Sequence, residues 1–374
     1  MNLRWDDYVI ALGGEGEDPE SIWQAAAAAC GDLGTMYVLG VGFDPRALVG
    51  LRRYLEVNQD NPPVVGLIEL PPPSTTSSPS AQALSASNMQ DFEQLTNGVE
   101  VRTVVHEEVH SRTNAGPRVA RALTAPAFLV GIGHLVIDIS SLPSTLYFPM
   151  IAATLTAVDR RVPNFPREVQ VVACENPSID SAIAELGITD AVVVGGFRGL
   201  LDDASTSAGT VIWAPVLGEH SEPSLEAIHD FLGPGDVCPV LPFPASNPRR
   251  SDDLVRELQV RLFDVFGVTP ANLIYADERN PFDLYRTLSR LQRDMGQALK
   301  VLGPTTLALS THSSKLLSLG ALLAAFEHDL PIVAASAMDY DVDADALPAL
   351  AGMNQLTCAW LTGLPYQAAI TEGP

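Results

Sequence analysis

Positive charge is scarce in this chain of 374 residues: 22 Lys and Arg stand against 45 Asp and Glu, a formal net charge of −23. A surface for long nucleic acid needs many cations to neutralise phosphates, so that class is excluded, while a small pocket for a phosphorylated ligand is not. Cysteine is also rare. Cys30, Cys174, Cys238 and Cys358 are scattered, with no CxxC pair and no histidine at metal-ligand spacing. No metal or other cofactor is expected, and Cys174 and Cys238, which lie in apolar runs, read as buried thiols. No apolar run reaches the ~18 residues of a membrane span. The opening "MNLRWDDYVIALGG" sets two aspartates before any apolar stretch, unlike a secretory signal. A cytoplasmic protein without membrane contact is expected. Catalytic signatures are missing too: there is no P-loop, GxSxG, HExxH or Cys/His pair. The glycine-rich "ALGGEGEDPE" is too acidic to welcome phosphate.

What is present describes a well-packed globular protein, 47% hydrophobic and 18% charged. The length suggests two domains. Helical patterns alternate with short Val/Ile/Leu runs, which indicates the α/β class. Five such runs fill the first half: "MYVLGVGFDP", "VVGLIELPPP", "RTVVHEE", "HLVIDISSLPS" and "VQVVACENP", with "DAVVVGGF" closing it. Five more fill the second: "VIWAPVLGEH", "VCPVLPFPAS", "NLIYADERNP", "TTLALSTHSSK" and "LPIVAASAMDY". Near-continuous apolar strands of this kind belong to parallel sheets covered on both faces.

The two series correspond. Both first strands contain Val-Leu-Gly (Val38–Gly40, Val216–Gly218), and both second strands run into prolines (Pro71–Pro73; Pro242 and Pro244). Both third strands end on acid, with Glu107 and Glu278 each 36 residues beyond Pro71 and Pro242. Both fourth strands end in Ser-Ser, at Ser140–Ser141 and Ser313–Ser314. The expected architecture is therefore two tandem Rossmann-like parallel-sheet domains, 1–205 and 206–374, related by a pseudo-twofold axis. Glu107 should superpose on Glu278, and Ser140 on Ser313. The Pro/Ser-rich stretch Pro71–Ser87 is expected to be an exposed loop. The tail 341–374, with Trp360, Leu361 and Tyr366, reads as a terminal helix docked on the body or as a partner contact.

In open parallel sheets ligands bind beyond the carboxyl ends of the strands, and polar residues gather there. The first half supplies Gly42, Asp44 and Arg46, then Asp138, Ser140 and Ser141. The second half supplies Glu278 and Arg279, then Thr311, His312, Ser313, Ser314 and Lys315, with Glu219 and His220 nearby. In "STHSSKLLSLGAL", hydroxyls and an ammonium sit where a strand gives way to a helix, a place that favours anions. A purely structural account is also available: Ser313 caps the helix, Lys315 is solvated, Asp44-Pro45 is a helix start, and Glu278-Arg279 is a surface pair.

A strand ending in small hydroxyl residues, then Lys, then an immediate helix, resembles the second motif of CARF domains, Rossmann-like sensors of cyclic oligonucleotides in CRISPR systems. The tandem arrangement is similar to SAVED domains of anti-phage signalling. "DISSLPSTLYFPM" and "STHSSKLLSLGAL" occupy the place of that motif, and "GVGFDPR" that of the first strand. Gly-Gly before the lysine is absent, and Pro143 stands where the first half would carry Lys. The resemblance implies a sensor or regulatory subunit that binds a nucleotide-like molecule and acts through a partner chain carrying the effector activity. Two other readings stay open. One is a hydrolase or transferase of a nucleotide-like substrate with Glu107 or Glu278 as carboxylate base. The other is a non-catalytic scaffold subunit.

Overall fold

The computed structural model describes residues 3–13, 18–70, 79–104, 115–180, 182–199, 201, 210–298, 305–335, 337–343, 347 and 354–366. They form two compact units. The first unit comprises Asp7–Ala184 with Asp339–Pro374, the second Met1–Asp6 with Glu185–Met338. The boundaries thus differ from a single division at 205. Residues 339–374 return to the first unit, and the segment after Glu185 already belongs to the second.

The first unit runs β1 (Val9–Leu12), α1 (Pro19–Ala29), β2 (Gly34–Val41), α2 (Val49–Val57), β3 (Val64–Glu69), α3 (Pro79–Leu95), β4 (Val101–Val104), α4 (Ala115–Leu123), β5 (Ile132–Asp138), α5 (Ser144–Asp159), β6 (Glu168–Glu175) and α6 (Pro177–Asp180). β7 (Ile183–Ile188) leads to β8 (Val192–Val193), β9 (Thr210–Val216), α7 (Glu222–Leu232), β10 (Asp236–Val237), β11 (Val240–Pro242), α8 (Arg250–Glu257), β12 (Ile274–Ala276), α9 (Pro281–Ala298), β13 (Thr305–Thr311), α10 (Lys315–His328) and β14 (Val333–Ala334). β15 (Ala337–Val342) and β16 (Gln355–Thr362) complete the order.

The protein is an α/β molecule built on parallel sheets. In the first unit the strand order is β1-β16-β6-β5-β2-β3-β4. The ladders from β6 to β4 are parallel, and those of β16 with β6 and with β1 are antiparallel. In the second unit β13 and β11 flank β9, and β12 pairs with β11, all in parallel. β10 and β11 are two pieces of one broken strand beside β9, interrupted where Pro215 of β9 has no N–H to donate between the bonds Cys238 N to the Trp213 carbonyl and Leu217 N to the Val240 carbonyl. Numbered within each unit from β2 and from β9, both sheets read fourth-first-second-third. β5 and β6 are buried along their whole length, as expected of strands covered on both faces.

The helices repeat as well. α5 and α10 follow the fourth strand in their units and are apolar nearly all round, the mark of a buried helix. Each meets the preceding helix at a glycine. A Cβ on Gly116 of α4 would lie 2.1 Å from the Thr145 carbonyl oxygen, and one on Gly320 of α10 would lie 2.3 Å from that of Pro281. The first core gathers Trp23, Tyr37, Leu39, Tyr54, Val136 and Trp360, and the second Trp213, Leu217, Leu225, Ile228, Leu254 and Val333.

The registers correct the expected equivalences. Val38 pairs with Ile137 and Val216 with Thr311. With Val-Leu-Gly as the common anchor, Ser140 matches Ser314 rather than Ser313. Val38 also pairs with Gly66, and Val216 with Val240, so Pro242 corresponds to Ile68 and not to Pro71. Glu107 lies outside the described residues. α3 begins at Pro79, inside the stretch read as a loop, while 71–78 lie outside the described residues. The tail read as a helix or partner contact contains β16, in which Cys358, Ala359, Trp360 and Leu361 are buried. All four cysteines are free; Cys174 and Cys358 are buried, whereas Cys238 is only half-buried, between β10 and β11. Among the described residues no helix is long and apolar enough to cross a membrane.

Candidate functional site

In the second unit, β9 and β13 lie side by side, yet the chain leaves them in opposite directions, β9 toward β11 and β13 toward β14. This is the switch point at which open α/β sheets bind ligands. Two turns meet there. After β9, Gly218 passes so close to β13 that a Cβ would lie 1.6 Å from the His312 carbonyl oxygen. Ser221 donates to the Gly218 carbonyl at 2.7 Å, and His220 adopts φ 57°, a left-handed conformation that costs a non-glycine residue about 1 kcal/mol or more. After β13 come His312, Ser313 and Ser314. Ser314 is the N-cap of α10, accepting from Leu317 N at 3.3 Å. Ser313 Oγ is enclosed and has no hydrogen-bond partner among the described residues. Lys315 is the first residue of α10. The cap is therefore one residue later than the structural account of the sequence supposed, and it frees Ser313 from that role.

His312 is held in a directed chain of hydrogen bonds. Trp213 Nε1 donates to Ser310 Oγ at 3.0 Å, Ser310 Oγ lies 3.0 Å from His312 Nε2, and His312 Nδ1 lies 3.0 Å from Ser224 Oγ. Ser224 gives its single proton to the Ser221 carbonyl at 2.9 Å. Ser224 must then accept at Nδ1, so Nδ1 carries the proton and Nε2 accepts from Ser310. Burial pushes the His312 pKa down to about 4, in keeping with this neutral tautomer: a second ring proton would leave Ser310 without an acceptor. His312 is a structural link between β13 and α7, not a free acid or base.

Glu278 and its neighbours are committed too. Arg250, at the start of α8, forks onto Glu219 (Nε–Oε1 2.8 Å, Nη2–Oε2 2.7 Å) and donates from Nη1 to Glu278 Oε1. Glu278 also accepts from Ser246 N at 2.7 Å. Burial works against the Glu219 carboxylate, but Arg250 outweighs it and lowers its pKa. Arg279 N donates to Asp277 at 2.9 Å. Both oxygens of Glu278 are occupied, which suits an anchoring ion pair and not a base that must take a proton.

The first-unit residues converge on internal partners. Arg46 holds Asp44 bidentately (Nε–Oδ1 3.0 Å, Nη2–Oδ2 2.9 Å) and reaches Asp180 at 2.8 Å. Burial tends to lower the Arg46 pKa, but the surrounding Asp44, Asp180 and Glu175 raise it further. The Gly42 and Asp44 carbonyls accept from Asn88 Nδ2. Asp138 is buried, accepting from Tyr37 Oη at 2.7 Å and from both the backbone N–H and hydroxyl of Ser140. Burial, outweighing those hydrogen bonds, raises its pKa to about 6. Ser140 in turn accepts from Cys174 N at 2.8 Å, and Ser141 donates to the Gly40 carbonyl. Leu142 fills the space above Gly40. The turn after β5 is thus closed by its own side chains.

The structure therefore brings Asp44 together with Arg46, and Asp138 with Ser140, as internal braces. It brings Glu278 to a buried ion pair, and it sets His312, Ser313, Ser314 and Lys315 at one switch point with Thr311 ending β13. Glu219, among the strand-end residues, completes these arrangements together with Asp180, Arg250, Ser224 and Tyr37, which strand-end position does not mark. The only cue was "NPRRSDD", a run of arginines just after a strand. Among the described residues there is no cluster of His, Cys, Asp and Glu fit to hold a metal ion.

No protein-family model matches the chain, and no curated protein matches it. Similar solved structures include a universal stress protein from Pseudomonas aeruginosa UCBPP-PA14, at 13% identity and TM-score 0.23, covering 86% of this chain and 98% of that one. A universal stress protein from Archaeoglobus fulgidus DSM 4304 matches at 10% identity and TM-score 0.24, covering 80% and 95%. Likeness at these scores carries no argument about function.

Proposed function

We propose that the protein is a binding protein for an anionic, nucleotide-like small molecule, a sensor or regulatory subunit whose output passes to a partner chain. The observation that carries this reading is Ser313. Its hydroxyl is enclosed and unpartnered at a switch point, beside the N-terminus of a 14-residue helix. An unsatisfied buried hydroxyl costs about 1–3 kcal/mol, and a helix N-terminus attracts negative charge. A phosphate or similar oxyanion would satisfy both. The strained His220 on the facing turn supports the same place, because backbone strain gathers at ligand sites. The motif-level resemblance to tandem CARF and SAVED sensors favours a cyclic oligonucleotide and a role in anti-phage defence. The carboxylate-base alternative is weakened by the engagement of both Glu278 oxygens.

The test is to purify the protein gently, denature it, and identify released small molecules by mass spectrometry. Calorimetry of that molecule then follows with the wild type and with Ser313→Ala. A nucleotide-like anion whose affinity falls about tenfold in the variant is the expected result, as for a lost hydrogen bond to a charged group. Turnover of the molecule would favour the enzyme. Absence of any bound anion, together with no binding of nucleotides or cyclic oligonucleotides, would overturn the reading.

A further inference from the structure

The repeat extends beyond the four strands, and its last member is misplaced in a regular way. In the first unit a fifth strand, β6, lies parallel to β5. In the second, the segment leading into β14 lies parallel to β13: Leu309 bridges Ile332, and Leu309 N donates to the Pro331 carbonyl at 2.9 Å. Each fifth strand then meets an antiparallel sixth. For β6 this is β16, registered from Gln355↔Glu175 to Thr362↔Val169. For β14 it is β8, with Val333↔Val193 and Ala334↔Val192. The pairing continues through Val194 N to the Ile332 carbonyl at 2.8 Å and Ile332 N to the Phe197 carbonyl at 3.1 Å.

The origins of these sixth strands are crossed. β8 is the continuation of the chain after β6, yet it closes the second unit. β16 is the continuation after β14, yet it closes the first. The exchanged segments are deeply set. Trp360 is buried and its Nε1–H is shared between Glu168 Oε2 at 3.1 Å and the Thr362 carbonyl of its own strand at 2.8 Å, and Leu364 N donates to the Glu168 carboxylate at 3.0 Å. Phe197 is 2% exposed. Residues 3–6 also belong to the second unit, where Trp5 is fully buried and stands edge-on to Tyr285 at 5.2 Å.

We propose that the chain is a covalently joined, strand-exchanged pair of half-chains. The open edges of β6 and of the 331–334 segment are docking surfaces, and the partner each fits is a strand carried by the opposite half. The peptide link near residue 205 is dispensable for holding the two halves together. Neither half can close its own sheet with its own sixth strand in this arrangement, so a half-chain seeks a second half-chain. The first-unit edge is the stronger of the two, since its ladder is longer and Glu168 clasps the incoming strand.

The experiment uses the full chain with a protease recognition sequence inserted between Ser205 and Thr206. After cleavage, size exclusion with light scattering should give one species of the intact mass that contains both fragments. Exchange of fragments between isotope-labelled and unlabelled cleaved protein, followed by native mass spectrometry, should be slow. In cleaved Trp360→Phe protein, which keeps the ring packing and loses the indole donor, it should be about tenfold faster. Separation of the fragments on cleavage, whether folded or aggregated, would overturn the proposal. An exchange rate unaltered by Trp360→Phe would also overturn it, because association would then not run through β16.

Discussion

Ser313 and Ser314 are adjacent and chemically identical, yet Ser314 caps α10 while Ser313 has no partner among the described residues. Their alanine variants should therefore diverge in urea unfolding. Ser314→Ala should cost ~1 kcal/mol, the usual value of an N-cap. Ser313→Ala should leave stability within about 0.5 kcal/mol or raise it, since it removes a desolvated group that gains nothing in return. Equal losses in the two variants would mean that Ser313 has a structural bond of its own. The polar strand ends were legible in the sequence because strand ends are marked by where apolar runs stop. What those residues touch was not. Arg46 meets Asp180, and Arg250 meets Glu219 and Glu278, across separations that no periodicity encodes. The tautomer of His312 likewise depends on Ser224 and Trp213, which lie on α7 and β9.

At the scale of elements, the two glycines that end the first strands of each repeat should respond differently to a methyl group. At Gly218 the obstacle is the His312 backbone oxygen, at 1.6 Å; at Gly40 it is the end of the Leu142 side chain, at 2.5 Å. A side chain can rotate away, whereas the β9–β13 ladder cannot part locally. Gly218→Ala should cost at least about 1–3 kcal/mol, as overpacking does, and Gly40→Ala distinctly less; thermal unfolding of the pair would show it. All ten apolar runs read as strands do contain strands; in β2, β3, β5, β6, β9 and β13 this follows because strands buried on both faces are apolar almost without interruption, while β4 and β12 are more exposed. β1 and β16 are hidden in the sequence for the opposite reason. "VIAL" is short and follows acidic residues, and "QLTCAWLT" mixes threonine and glutamine with apolar residues although its centre is buried between two neighbours. Only tertiary pairing distinguishes such a segment from a terminal helix.

The whole molecule should lose stability in mild acid for identifiable reasons. His134 and His312 are held neutral, their pKa values lowered by burial from 6.5 to about 4. Between those values the unfolded chain binds more protons than the folded one, so their contribution is full above pH 6.5 and is lost as pH falls toward 4. Asp138 acts in the opposite sense. Its pKa rises from 3.8 to about 6, so its contribution is full below pH 3.8 and is lost as pH rises through 6. Two histidines against one aspartate leave a net acid destabilisation on the order of 3 kcal/mol. Urea midpoints measured from pH 7 to 4 should fall, and they should fall less in His312→Gln and more steeply in Asp138→Asn. A flat profile in all three would show that these groups titrate as they do in water. The crossed sixth strands have a consequence for the protein's birth. β1 is made long before its neighbour in the sheet: the strand that lies between it and β6 begins only at Gln355. At ribosomal speeds of roughly 5–20 residues per second, about 20–70 s passes between them. For about the last half of that interval, from the completion of β6 at Glu175 until β16 is made, the growing chain carries β6 with an unpaired ladder edge, the kind of surface on which chains aggregate.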